Sequence, residues 1–150
     1  VDDDVVGRKL VPCSQAAYCT RAYAAQMIDN GGEGLHFIGW NEPENNLSAR
    51  WIKGSCYPKA TLKHRVTDLI AHVTLAASGM GLAYLACALG DRHPDLVRAP
   101  FQTPLPYQDL WLLLHRDLRN TARVRLVVDY LATEIKARRN EFWVPGTKTP

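Results

Sequence analysis

The chain has 150 residues, 47% of them hydrophobic and 22% charged, with a formal net charge of +3. That size fits one domain with a real core, and the apolar content excludes a disordered acidic or basic tail. So mild a charge leaves no nucleic-acid footprint, and no apolar run reaches the roughly 20 residues that span a bilayer.

No basic-then-apolar start reads as a secretion signal. The first residue is Val1 rather than Met, which reads as the cut end of a processed product or fragment. Cys13, Cys19, Cys56 and Cys87 show neither C-x-x-C nor zinc-finger spacing and are too sparse for a disulfide scaffold. They read as reduced thiols in a cytosolic chain, with Cys19 and Cys87 as small hydrophobes in apolar runs.

After a polar opening at Val1–Asp4, the apolar pattern from Val5 to Thr20 contains a buried strand at Gln15–Cys19. Thr20 caps a short helix carrying Tyr23, Ala24 and Met27, which ends at Asn30-Gly31-Gly32. Leu35–Trp40 is a second short strand, and Asn41–Asn46 is a loop by composition. Leu47–Ile52 makes a helical turn with Trp51 buried, and Gly54–Lys59 is irregular.

Thr61–Val66 is a third strand, running into the capping pair Thr67-Asp68 and a helix with Leu69, Ile70, Val73, Ala76 and Ala77. Gly79 ends that helix in a left-handed turn, and Gly81 permits close backbone approach to the next strand, Leu82–Cys87. Strand, helix, turn and strand in that order make a βαβ unit with parallel strands. Leu96–Arg98 is a short edge strand, and Pro100, Pro104 and Pro106 keep the following stretch extended. Asp109–His115 is a strong buried strand. Asn120 caps a helix from Thr121 to about Arg139, whose Val124, Val127, Val128, Leu131 and Ile135 form a core-facing stripe. The tail from Val144 is loop. Alternating strands and helices place the fold in the α/β class.

Chemistry is sparse. No histidine stands at metal-ligand spacing from another His or carboxylate, and no carboxylate pair suggests acid–base work. Ser78-Gly79-Met80-Gly81 follows a helix, whereas a phosphate cradle precedes one; its glycines are structural. The scattered Trp40, Trp51, Trp111 and Trp143 read as packing anchors. One feature points to a ligand. Thr67-Asp68-Leu69 opens a helix directly after a strand, at the carboxyl end where α/β sheets bind ligands. Either its free N–H groups hold a carboxylate or other polar group, or Thr67 or Asp68 caps its own helix; the Asp68 carboxylate repels an anion.

Several segments in order resemble the effector-binding domain of LysR-type transcriptional regulators. Val6-Gly7-Arg8-Lys9-Leu10 and Ala17-Tyr18-Cys19-Thr20-Arg21-Ala22-Tyr23 are similar to its hinge strand and following helix. Phe37-Ile38-Gly39-Trp40 looks like the strand of its second subdomain, and Ala76–Asp91 like its Gly-x-Gly and apolar-strand signature. Asp95–Arg98, Asp109–Leu118 and Thr121–Arg125 look like its closing segment. The ordered series spans about Val5 to Ala137.

The resemblance implies a periplasmic-binding-protein type II-like fold: two α/β subdomains joined by crossover strands, with a small-molecule site in the cleft. It implies one complete subdomain, about residues 20–96, with residues 1–19 and 97–140 supplying crossover strands and part of the other; 141–150 is tail. The winged helix-turn-helix of a whole regulator and the first part of its first subdomain are expected upstream. The implied ligand-binding residues are Val66, Thr67 and Asp68 at the strand-to-helix junction, Cys13, Ser14 and Cys87 on crossover strands, and Trp40 as an apolar wall. Leu85-Ala86-Cys87 stands where the family has Leu-Pro before its second crossing. No catalytic residue, metal or cofactor is implied. The partners are a small-molecule effector and a second copy of the chain, DNA being met only through the expected helix-turn-helix, and no membrane. The terminal-helix stripe is expected to drive dimerisation or element swapping, or to leave the chain poorly stable. Two other readings stay open: a small α/β enzyme with an unrecognised pocket, and a solute-binding protein for transport, disfavoured by the missing signal segment.

Overall fold

A computed structural model of the chain describes residues 4–41 and 47–146. The opening at 1–3, most of the loop expected at 41–46 and the end of the tail, 147–150, lie outside the described residues.

The first apolar run is two strands, β1 (Val5–Val11) and β2 (Ser14–Cys19), because Pro12 breaks the ladder between them. Helix α1 (Arg21–Ala25) starts where the Thr20 hydroxyl accepts from the Tyr23 N–H at 3.2 Å. It stops earlier than expected, leaving Met27 and the Asn30-Gly31-Gly32 turn outside. There follow β3 (His36–Trp40), α2 (Leu47–Gly54), β4 (Thr61–Val66), α3 (Leu69–Ala77) and β5 (Leu82–Ala86). Cys87 does not prolong β5; it opens the short helix α4 (Cys87–Gly90). Strands β6 (Val97–Arg98) and β7 (Leu105–Pro106) are brief, β8 (Leu110–His115) is long, and a 3₁₀ turn at Arg116–Leu118 precedes α5 (Ala122–Ala137) and α6 (Arg139–Phe142).

Two sheets result. The larger has the order β4-β3-β5-β2-β6, with β7 also pairing β2; the smaller is β1 against β8, antiparallel. β3 runs parallel to both β4 and β5 and lies between them, while β2 is antiparallel to β5. The expected βαβ unit is therefore parallel, with a third strand inserted. Gly79 sits at φ 78, and a Cβ on Gly81 would stand 2.5 Å from the His36 carbonyl oxygen, so the turn and the close approach both require glycine.

Alternate residues of the large sheet feed two cores. Ala16, Tyr18, Ala83 and Leu85 pack with Ala76 of α3, whereas Ala17, Cys19, Phe37 and Leu82 pack with Ile52 of α2. Both faces are thus covered. The Tyr18 hydroxyl, fully buried, donates to Asp91 at 2.8 Å, and the Arg98 guanidinium grips the same carboxylate at 2.8 and 2.6 Å.

Four expectations are corrected by packing. Trp51 is only half-buried, and its neighbour Ile52 faces the core instead. Leu69 and Ile70 point to solvent, and α3 buries His72 and Ala76. The strand at Asp109–His115 is not buried: Trp111 is 52% and Leu113 66% exposed, because only the opposite face, with Leu112 and Leu114, is partly covered. Thr121, not Asn120, holds the cap position of α5, and its stripe is split: Val124, Val128, Ala132 and Ile135 are partly or fully buried, while Val127 and Leu131 stay exposed.

The chain passes between the sheets at Val11–Ser14 and returns at Pro106–Leu110, where the Tyr107 N–H donates to the Cys13 carbonyl at 2.8 Å. β5 never leaves the large sheet, and the return runs instead through β7 at Leu105–Pro106. A third link comes from the C-terminus. Beyond α5, α6 packs on α4, Glu141 of α6 pairs with Arg92 in the turn after α4, and the Val144 N–H donates to Ser14 Oγ at 2.9 Å.

Candidate functional site

Register fixes where the strand ends meet. Trp40 closes β3 opposite Val66, the last residue of β4. Phe37 and Ile38 face Leu82 and Ala83, so β5 ends on the same side, and Gln15 faces Ala86, which sets the start of β2 there too. Cys13, Ser14, Cys87, Trp40, Val66, Thr67 and Asp68 therefore share one edge of the large sheet. The edge spans about 14 Å over three inter-strand gaps. The two main crossings to the small sheet leave from its Ser14 end.

Accessibility divides this edge. Thr67 and Asp68 are exposed and Trp40 is half-buried, whereas Ser14 and Cys87 are fully buried and Cys13 and Val66 nearly so. Ser14 lies under the crossing with its hydroxyl engaged by Val144, and burial pushes the Cys13 and Cys87 thiols upward. The open groups are on the β3–β4 side.

On that side Asp68 is the helix cap. Its Oδ1 accepts from the Ala71 N–H at 2.9 Å, so a carboxylate already occupies the amino end of α3. Trp40 is held from several sides: its N–H donates to Ser48 Oγ at 3.1 Å, and its ring meets the His72 ring edge-on, centroids 4.7 Å apart.

His72 is the residue that sequence reasoning missed. It is 1% exposed, its Nε2 donates to the Ile38 carbonyl at 2.8 Å, and Nδ1 has no partner among the described residues. Burial lowers its pKa from the ordinary 6.5, against the opposing effect of the Ile38 bond. The sequence does set a carboxylate, Asp68, four residues before His72, against the expectation that no histidine has such a neighbour; the structure keeps the two apart in role, Asp68 capping α3 and His72 buried against Ile38. Among the described residues, no group of three or more His, Cys, Asp or Glu side chains is placed to hold a metal ion.

Residues 36–136, more than half of the chain, match the family of LysR substrate binding domains. The chain belongs to that family. LysR substrate binding domains are ligand-sensing regulatory domains, and the periplasmic-binding-protein type II-like fold recurs in solved structures. The effector domain of the transcriptional regulator AmpR of Pseudomonas aeruginosa is 14% identical, with a TM-score of 0.68 over 93% of this chain and 69% of that one. The regulatory domain of CrgA, a LysR-type transcriptional regulator from Neisseria meningitidis, is 17% identical, with a TM-score of 0.61 over 89% and 70%. The CcmR regulatory domain of Synechocystis, solved in complex with 2-PG, is 13% identical, with a TM-score of 0.61 over 91% and 70%. No curated protein sequence matches the chain significantly.

Proposed function

We propose that this LysR substrate binding domain senses a small molecule at the edge where β3, β4 and β5 end and β2 begins. The supporting observation is the register itself, which gathers four strand ends and the start of α3 beside both main crossings to the second sheet. Thr67 offers a hydroxyl and Trp40 an apolar wall. Asp68 keeps its cap, so the group taken up at α3 is a hydrogen-bond donor or a neutral polar group. Cys13, Ser14, Val66 and Cys87 shape the floor behind them.

In this reading, residues 20–96 act as one subdomain, with 1–19 and 97–140 as crossings and part of the other. Effector favours one arrangement of the two by binding it more tightly. The domain performs no catalysis and uses no cofactor. In its parent regulator it works in the cytoplasm as a homo-oligomer, reaching DNA through a separate helix-turn-helix. Among the described residues, no helix is long and apolar enough to cross a membrane.

The test is a thermal-shift screen of the chain against a panel of small aromatic compounds bearing amine, amide or hydroxyl groups, with carboxylates as the contrast, since a ligand of the native state raises its melting temperature. A saturable rise for at least one compound, abolished by Thr67→Val and weakened by Trp40→Ala, is the expected result. A panel without shifts, or shifts indifferent to both substitutions, overturns the assignment.

A further inference from the structure

A cavity of about 550 Å³ lies away from that edge, between the two-stranded sheet and α5. Its size falls within the roughly 300–1,000 Å³ usual for small-molecule sites. Leu112 of β8 and Val128 of α5 contribute apolar wall. Its charged lining comes from three places in the chain: Arg8 on β1, Arg119 after the 3₁₀ turn, and Arg125 with Asp129 on α5. Arg125, Val128 and Asp129 are three and four residues apart, which puts them on one helix face. Asn120 adds an amide.

The charges do not balance. Asp129 is the one carboxylate in the lining, and its Oδ1 accepts from Arg8 Nη1 at 3.0 Å. Arg119 and Arg125 form no ion pair among the described residues. Arg92, Arg98 and Arg138 pair with Glu141, Asp91 and Glu134, whereas Arg21, Arg50, Arg123 and Arg139 also form no ion pair among the described residues, so what sets Arg119 and Arg125 apart is the hollow they share. Here Arg119 and Arg125 line one hollow whose single carboxylate, Asp129, is already engaged by Arg8. A guanidinium is planar and offers paired donors that match a carboxylate or phosphate, so two guanidiniums lining one hollow suit a small multiply charged anion.

We propose that this cavity binds a small anion bearing a phosphate group or two carboxylates. Arg119 and Arg125 are its direct partners, Asn120 donates a further hydrogen bond, and Arg8 turns to it from Asp129. The bound anion ties β1 to the start of α5.

The experiment is an NMR titration of the full 150-residue chain with inorganic phosphate and, separately, succinate, against sodium chloride at matched ionic strength. Saturable shifts of the Gly7 and Asn120 amides by either probe, absent with chloride, are expected; which probe saturates first separates phosphate from dicarboxylate sources. R119Q/R125Q weakens that binding at least tenfold, and K53Q, on α2, leaves it unchanged. D129N, which removes the competing carboxylate, tightens it. Shifts shared by chloride, shifts confined to other parts of the chain, undiminished binding by R119Q/R125Q, or weaker binding by D129N each overturn the proposal.

Discussion

The two sheets use similar residues to opposite ends. β2 reads SQAAYC and β8 reads LWLLLH, so the strand of the small sheet is the more apolar by composition. Yet Ala16 to Cys19 are almost wholly buried, while every second residue of β8 is open to solvent. The difference is the number of layers. Helices α2 and α3 pack on opposite faces of the large sheet, and α5 covers only one face of the small one. Burial along a strand reports what lies above and below it, more than the strand's own hydrophobicity.

Thiol chemistry should sharpen that contrast most. Cys56 is exposed, whereas Cys19 and Cys87 lie in the large-sheet cores, where burial pushes the Cys19 thiol up to about 11. A disulfide reagent should titrate Cys56 at once and the two core thiols orders of magnitude more slowly, at the pace of opening. Equal rates would mean that the large sheet is not the closed layer described.

Truncating a side chain in each sheet is the next most severe test. Leu85→Ala, at a core position, should cost about 2–5 kcal/mol in urea unfolding. Acid should act through the same layer. Because the folded-state pKa of His72 is depressed, the unfolded chain takes up its proton first as pH falls. The stability it contributes is complete above about pH 6.5 and is lost as pH falls through the folded value. Urea midpoints at several pH values should decline below 6.5, and His72→Gln should flatten that decline; an unchanged slope would remove His72 from the account. Asp68→Ala should cost about 1 kcal/mol by uncapping α3, measured the same way. Smallest of all, Leu113→Ala on the bare face of the small sheet should change stability by about 0.5 kcal/mol or less. A loss as large as that of Leu85→Ala would show that this face is covered in solution.

Much of the large sheet was legible from residues alone. Gln15–Cys19 and Leu82–Ala86 are short uninterrupted apolar runs, Thr20 and Asp68 are caps in extended conformation, and Gly79 and Gly81 do what their positions require. What failed were questions of facing. A helical stripe gives a period, but the direction of the neighbour decides whether Val127 or Ala132 is inside, and Trp51 and Ile52 differ only by one such step. Cys87 looked like the end of a strand because nothing local marks where sheet pairing stops. The strand ends of the candidate site could be named one by one. Their shared edge could not, since register between β2 and β5 depends on pairing across about 70 residues of chain.

The bond from Val144 to Ser14 has a mechanical meaning. All three threads between the sheets gather within a few residues of Ser14: the outgoing chain, the return bonded through Tyr107, and the C-terminal segment. A tie placed on an axis hardly changes length when bodies turn about it, yet resists their being drawn apart. Three links that cross at one place leave the rest of the boundary between the sheets without a covalent tie, so Ser14 and its neighbours carry the continuity of the fold.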